Sequence, residues 1–264
     1  SELPLLTGLT LNASVNNRSR VFDEKKLFSF IHISKSGGST FIKWAHASRI
    51  FLHYYPHAHK GVEHGYLYDR ARRPTAQRLV LLRSPRAHVL SMFKECRYDA
   101  WGVGLWKNNK SQVPHQGTHQ HDFEQWLEWY LHPLHKRGLG CYHPWNYQSR
   151  AMTSLSENPH GISDKESYEP SVDSTVTSYF EMDWVGITDF YDESLCLLVS
   201  RFRTDAAQTL FSTHCRCATH PRSILGSTKI DTHGRVPSTN VRVDPILAVK
   251  MDRITTVDKV LFSV

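Results

Sequence analysis

The chain has 264 residues, 40% hydrophobic and 22% charged, an ordinary balance for a globular protein with one large α/β domain or two small ones. No run approaches the ~18 apolar residues that a membrane span needs, which excludes a spanning helix within this stretch. Lys and Arg outnumber Asp and Glu by 32 to 25, a net charge of +7 that suits an anionic ligand such as nucleotide phosphate, acidic glycan or nucleic acid. The plain alternative is a basic surface with no specific partner. The 17 histidines add charge in a mildly acidic compartment.

Residues 1–26 are polar and lack periodicity, so they read as an extension or stem, with one domain over 27–264. No signal peptide is visible, and because the chain opens on Ser1, a targeting segment or membrane anchor outside it stays open. Leu27 to Ile33 has the apolar run of a buried strand. Ser34 to Ser39 follows as a glycine-bearing loop, and Thr40 to Ala47 as a helix. A second unit repeats the theme. Arg78 to Leu82 is a short buried strand, Ser84 a candidate N-cap, Pro85 the first helical position, and the helix runs to about Glu95.

Residues 98–120 are rich in Gly, Asn, Gln and Trp and read as a surface insertion. Helices are expected over Phe123 to Leu131 and Asn146 to Leu155, with a polar loop over Ser156 to Pro170. Trp184 to Ile187 is a third strand, followed by a helix over Tyr191 to Phe202. Residues 212–240 carry few apolar side chains and read as loop. The tail from Asp244 to about Phe262 has one apolar helix face. Strands alternating with helices imply a mainly parallel sheet.

Five cysteines leave at least one unpaired. Cys196 sits in an apolar run and reads as a buried thiol. Cys215 and Cys217 lack the Cys-x-x-Cys spacing and second pair of a zinc site, so no metal is expected. Asn-x-Ser sequons at Asn12, Asn17 and Asn109 are compatible with the secretory pathway.

The chemistry concentrates in His32-Ile-Ser-Lys35-Ser36-Gly37-Gly38-Ser39-Thr40-Phe41. Glycines let backbone N–H groups turn inward, the helix start favours an anion, Lys35 adds charge, and Ser39 and Thr40 offer hydroxyls. This is a phosphate-binding loop or, on the plain reading, a glycine turn. It is not Gly-x-x-x-x-Gly-Lys-Ser/Thr, and the next strand ends in Arg83 rather than a magnesium-binding Asp. The residue set suits an anion held by cations and hydroxyls, without a metal.

His32 to Phe41 resembles the 5′-phosphosulfate loop of the Golgi-type carbohydrate sulfotransferases. Arg83-Ser-Pro-Arg-Ala-His-Val-Leu-Ser91 resembles their 3′-phosphate segment, an Arg at a strand end with a Ser eight residues later. Asn146-Tyr-Gln-Ser-Arg150 and Val185-Gly-Ile-Thr-Asp-Phe-Tyr-Asp-Glu-Ser-Leu195 resemble two further passages of that family, extending the likeness over roughly 27–262. The resemblance implies a single α/β domain like that of P-loop nucleotide kinases. It implies 3′-phosphoadenosine 5′-phosphosulfate as donor co-substrate, bound by Lys35, Ser36, Gly37, Gly38, Ser39, Thr40, Arg83 and Ser91. It also implies transfer to a hydroxyl acceptor, a glycan before a small-molecule or lipid alcohol, with no nucleic-acid partner.

A Golgi or other secretory lumen is the implied location, the cytoplasm the alternative. Lys35 is the implied stabiliser of the leaving phosphate oxygen. Family members place a basic His or Glu between the two nucleotide motifs, where this chain has His53, His57, His59, Glu63 and His64. His64 is preferred because Gly61 to Gly65 reads as a short strand ending near the site, with Glu63 second since strand neighbours face opposite ways. Arg150 is either a nucleotide or acceptor contact or a salt-bridged helix residue. Gly186 and Thr188 are expected to shape the fold, and Lys229 is a candidate for a lid over the 3′-phosphate. Trp101 and Trp106 fit either an acceptor cleft or the core, and Arg70, Arg72 and Arg73 a solvated charge run before a glycan contact. The rivals from other classes are a nucleotide-dependent kinase and a non-enzymatic module for anionic polymers.

Overall fold

The computed structural model describes Phe22 and residues 27–48, 65–107, 118–132, 141–156, 169–215 and 241–264, with the side chains of 106 and 107 left out. Among them the order is β1 (Phe28–Ile31), α1 (Gly38–Ser48), α2 (Tyr66–Arg72), β2 (Gln77–Leu82), α3 (Pro85–Tyr98), α4 (Ala100–Lys107), α5 (His119–Leu131) and α6 (Tyr147–Thr153). There follow α7 (Val172–Phe180), β3 (Trp184–Ile187), a 3-10 turn (Thr188–Phe190), α8 (Tyr191–Val199), α9 (Asp205–His214), α10 (Pro245–Ile254) and α11 (Thr256–Ser263).

The three strands form one parallel sheet in the order β1-β2-β3, with Ile31 opposite Val80 and Leu82 opposite Ile187. Parallel strands buried on both faces read as continuous apolar runs, which is how they stand in this sequence. The period of two sorts their side chains between two cores. Phe28, Phe30, Leu79, Leu81 and Trp184 pack on one face with Phe41 and Trp44 of α1 and Leu195 and Leu198 of α8. Ile31, Val80 and Leu82 pack on the other with Met92 and Phe93 of α3, Trp126 of α5, Tyr147 of α6 and Met251 of α10. Phe22 lies before the boundary drawn at residue 26, yet it sits in the first core, ring against ring with Phe28 and Phe202.

Several expectations need correction. The insertion expected at 98–120 holds α4 and the start of α5, because Gly102 lets the chain pass against the α3 backbone: a Cβ there would lie 2.5 Å from Glu95 O. The loop expected from 212 begins three residues later, at 215 after α9, and 216–240 lie outside the described residues. The tail helix is two helices broken at Thr255. Cys196 is not a free buried thiol. It is bonded to Cys215, joining the ends of α8 and α9, while Cys96 and Cys141 tie α3 to the segment before α6.

Candidate functional site

Because the strands are parallel, the segments after Ile31, Leu82 and Ile187 emerge side by side at the carboxyl edge of the sheet, where open α/β folds hold ligands. The first segment turns sharply. Ser36 N–H donates to Ile33 O, Lys35 has φ 64 and Gly37 φ 79. A lysine in the left-handed region costs about 1 kcal/mol, a cost typical of loops whose conformation serves a site. Close approach calls for glycine at both positions, and φ calls for it at Gly37 as well. A Cβ on Gly38 would lie 2.0 Å from His32 Cδ2, and one on Gly37 2.8 Å from the Tyr191 ring.

Four neighbours hold this turn by its carbonyls. His88 Nε2 on α3 donates to Ser34 O at 2.6 Å, and Arg83 Nη1 donates to Lys35 O at 3.0 Å. Thr188 Oγ1 lies 2.8 Å from Ser36 O, and Tyr191 OH donates to Gly37 O at 3.0 Å. Burial pushes the Tyr191 phenol well up, so it stays a donor. With the carbonyls anchored outward, the first helical bond runs from Phe41 N–H to Gly37 O. The N–H end of α1 then opens on the turn, with no acidic residue in its first turn to compete for an anion.

The second segment starts with Arg83. Its backbone N–H donates to Gln148 Oε1 and its carbonyl accepts from Gln148 Nε2, both at 2.8 Å, so its placement is fixed from α6. Burial pulls the guanidinium below its ordinary value and Asp189 opposes that; an arginine keeps its charge regardless. Ser84 stands at the N-cap position of α3 with Pro85 after it, as expected. Its hydroxyl, however, donates to Asp189 Oδ1 at 3.0 Å and does not cap the helix.

The structure therefore brings Lys35, Ser36, Gly37, Gly38, Ser39 and Thr40 beside Arg83. Ser91 lies on α3 one turn beyond His88 and one turn before Glu95, the two α3 side chains that touch the turn, and so shares their face. Thr188 ties the turn to Leu82 O, and a Cβ on Gly186 would run into Trp184, so both shape the fold.

Arg150 is anchored to the segment that precedes α6. It is buried, with Nε donating to Trp145 O at 2.7 Å and Nη2 to His143 O at 2.6 Å, and its guanidinium lies over the Tyr147 ring. Arg70 pairs with Glu181, Arg72 donates to Tyr68 OH, and Arg73 pairs with Asp69. Trp101 is half exposed against Tyr142. His53, His57, His59, Glu63, His64 and Lys229 lie outside the described residues. Gly65, at the end of the strand expected over 61–65, stands instead at the N-cap of α2, backed so closely by Ser154 that a Cβ would lie 2.4 Å from its carbonyl oxygen.

The sequence did not single out Glu95, Asp189, His88, Tyr191 or Gln148. Glu95 Oε2 lies 2.6 Å from Lys35 Nζ across 60 residues of chain. Its only signal was a position one helical turn beyond Ser91. No group of His, Cys, Asp and Glu suited to a metal occurs among the described residues. Comparison with family models, curated proteins and solved structures gave no match to this chain.

Proposed function

We propose that the chain is a sulfotransferase that moves a sulfuryl group from 3′-phosphoadenosine 5′-phosphosulfate to a hydroxyl acceptor, a carbohydrate first. The observation that carries this reading is the junction of Lys35 and Arg83 at the carboxyl edge of two adjacent parallel strands, 3.0 Å apart through Nη1 and O. Two cationic side chains, a glycine turn and the N–H end of α1 converge there, a surface suited to two phosphates on one nucleotide. On this reading the sheet is the core of a fold like that of P-loop kinases.

The acceptor oxygen attacks sulfur as the bond from sulfur to the 5′-phosphate oxygen breaks. The hydroxyl proton passes to His64, and Lys35 neutralises the charge left on the phosphate. The transition state is loose and charge-spread, as in phosphoryl transfer.

Labelled donor offered with glycan, lipid and small-alcohol acceptors should transfer sulfate to one class, and 3′,5′-adenosine bisphosphate should raise Tm without magnesium. Stabilisation by ATP with magnesium alone would make the chain a kinase. Polyanion binding that salt abolishes, with no transfer to any acceptor, would make it a binding module. His64→Ala should lower turnover by about 10²- to 10⁴-fold with nucleotide binding kept. Normal turnover in that variant would hand the base to Glu63.

A further inference from the structure

Within the turn, Lys35 does not wait with its ammonium in water. Nζ lies 2.6 Å from Glu95 Oε2, and the two side chains are only 15% and 6% exposed. A pair this buried roughly breaks even against its desolvation, so stability alone does not account for it. The carboxylate is also held in place. Glu95 is in α3, next to Cys96, whose disulfide to Cys141 ties that helix to the α6 side of the core, and His88 on the same face is bonded to Ser34 O. Ser36 Oγ beside it is fully buried with no partner among the described residues. The turn thus contains one cation already matched by an internal anion and one hydroxyl left without a partner.

We propose that Glu95 is the resting counter-ion of Lys35. It holds the ammonium at the turn in the empty protein, gives it up to the arriving anion, and takes it back when the product leaves. This rests on the reading of the turn as an anion cradle. Glu95 is then a positioning residue, acting through Lys35, and it lowers anion affinity in exchange for a lysine kept in place. Arg83 and Asp189 also stand at this edge among the described residues, and the substitutions below leave both untouched.

The test is calorimetric titration of the full chain with 3′,5′-adenosine bisphosphate and, separately, inorganic pyrophosphate. In Glu95→Gln both should bind about tenfold more tightly than in the wild type, because the competing carboxylate is gone. Damage to the fold would weaken binding, so the direction separates the two. In a Lys35→Ala background the same substitution should change affinity less than about twofold, since its partner is missing. Should Glu95→Gln not fold, Glu95→Asp serves, with a smaller tightening because its shorter side chain draws the carboxylate back from Nζ. Equal or weaker binding in whichever variant folds would overturn the proposal. So would an equal gain without Lys35, which would make Glu95 a repulsive charge and nothing more. Tighter pyrophosphate binding with no nucleotide binding would leave the counter-ion role standing and sink the nucleotide reading. No anion binding by any variant would sink both.

Discussion

The turn at Lys35 and the segment Asn146–Arg150 are both polar, both buried and both contain a residue in the left-handed region, Lys35 at φ 64 and Asn146 at φ 42. They use their polar groups differently. In the second, Asn146 Oδ1 accepts from Val257 N–H at 2.9 Å, capping α11, while Asp258 of α11 accepts from Ser149 N–H at 2.7 Å and Gln148 N–H at 3.3 Å, capping α6. Gln148 and Arg150 are bonded to backbone on either side. In the first, the carbonyls are anchored, the Ser36 hydroxyl has no partner among the described residues, and the lysine ammonium is paired with the Glu95 carboxylate. Ser149 Oγ is likewise buried with no hydrogen bond among the described residues, so the difference lies in the cations: the turn pairs its lysine with one carboxylate, whereas the second segment fixes its arginine to two backbone carbonyls.

The sharpest way to break this contrast is to remove the cation of the turn and compare activity with stability. Lys35→Ala should lower sulfuryl transfer by about 10²- to 10³-fold, the size seen when one charge-stabilising donor is lost, and Lys35→Ala with Glu95→Gln, which leaves no buried charge unpaired, should show that loss with Tm close to the wild type's. A large fall in Tm with modest loss of transfer would place Lys35 in the scaffold.

Asp258 sharpens the other side. Full burial pushes its carboxyl up from 3.8 to about 6, against the pull of the Ser149 and Gln148 amides. The folded state then holds the proton more tightly than the unfolded chain. Its contribution is complete below about pH 4 and is lost as pH rises through 6, a change of about 3 kcal/mol. Chemical denaturation of wild type and Asp258→Asn from pH 4 to 7 should show that slope in the wild type only. Equal slopes would remove Asp258 from the account.

The smallest effect concerns Asn146. Asn146→Ala should cost about 2 kcal/mol through the lost cap, and Asn146→Gly about 1 kcal/mol less, because glycine accepts the left-handed backbone. Transfer per folded molecule should be unchanged in both. A selective loss of transfer would mean that Asn146 acts on the site, through the Gln148 hold on Arg83, and not on stability alone.

Much of the edge was legible because it is local. Apolar runs bounded by Lys35-Ser-Gly-Gly and Arg83-Ser-Pro announce strand, turn and helix within a dozen residues each, and β3 falls on Trp184–Ile187 as expected. What escaped depends on distance or on tertiary support. Val172–Phe180 is rich in Ser, Thr and Val, poor helix formers, and is helical with Ser171 as its cap and Thr175 buried. In α9 only Ala207 is buried, so no apolar stripe marks the helix. The partner of Cys196 and the partner of Lys35 lie 19 and 60 residues away, and spacing gives no hint of either. Arg150 matched a motif by type, but it donates to the carbonyls of Trp145 and His143.

One structure tests the central claim most directly: a crystal of the chain with 3′,5′-adenosine bisphosphate. The account predicts the 5′-phosphate on the amides of residues 37–40 with Lys35 released from Glu95, and the 3′-phosphate between Arg83 and Ser91. A nucleotide bound elsewhere, or an empty edge with the Lys35–Glu95 pair intact at saturating ligand, would contradict it.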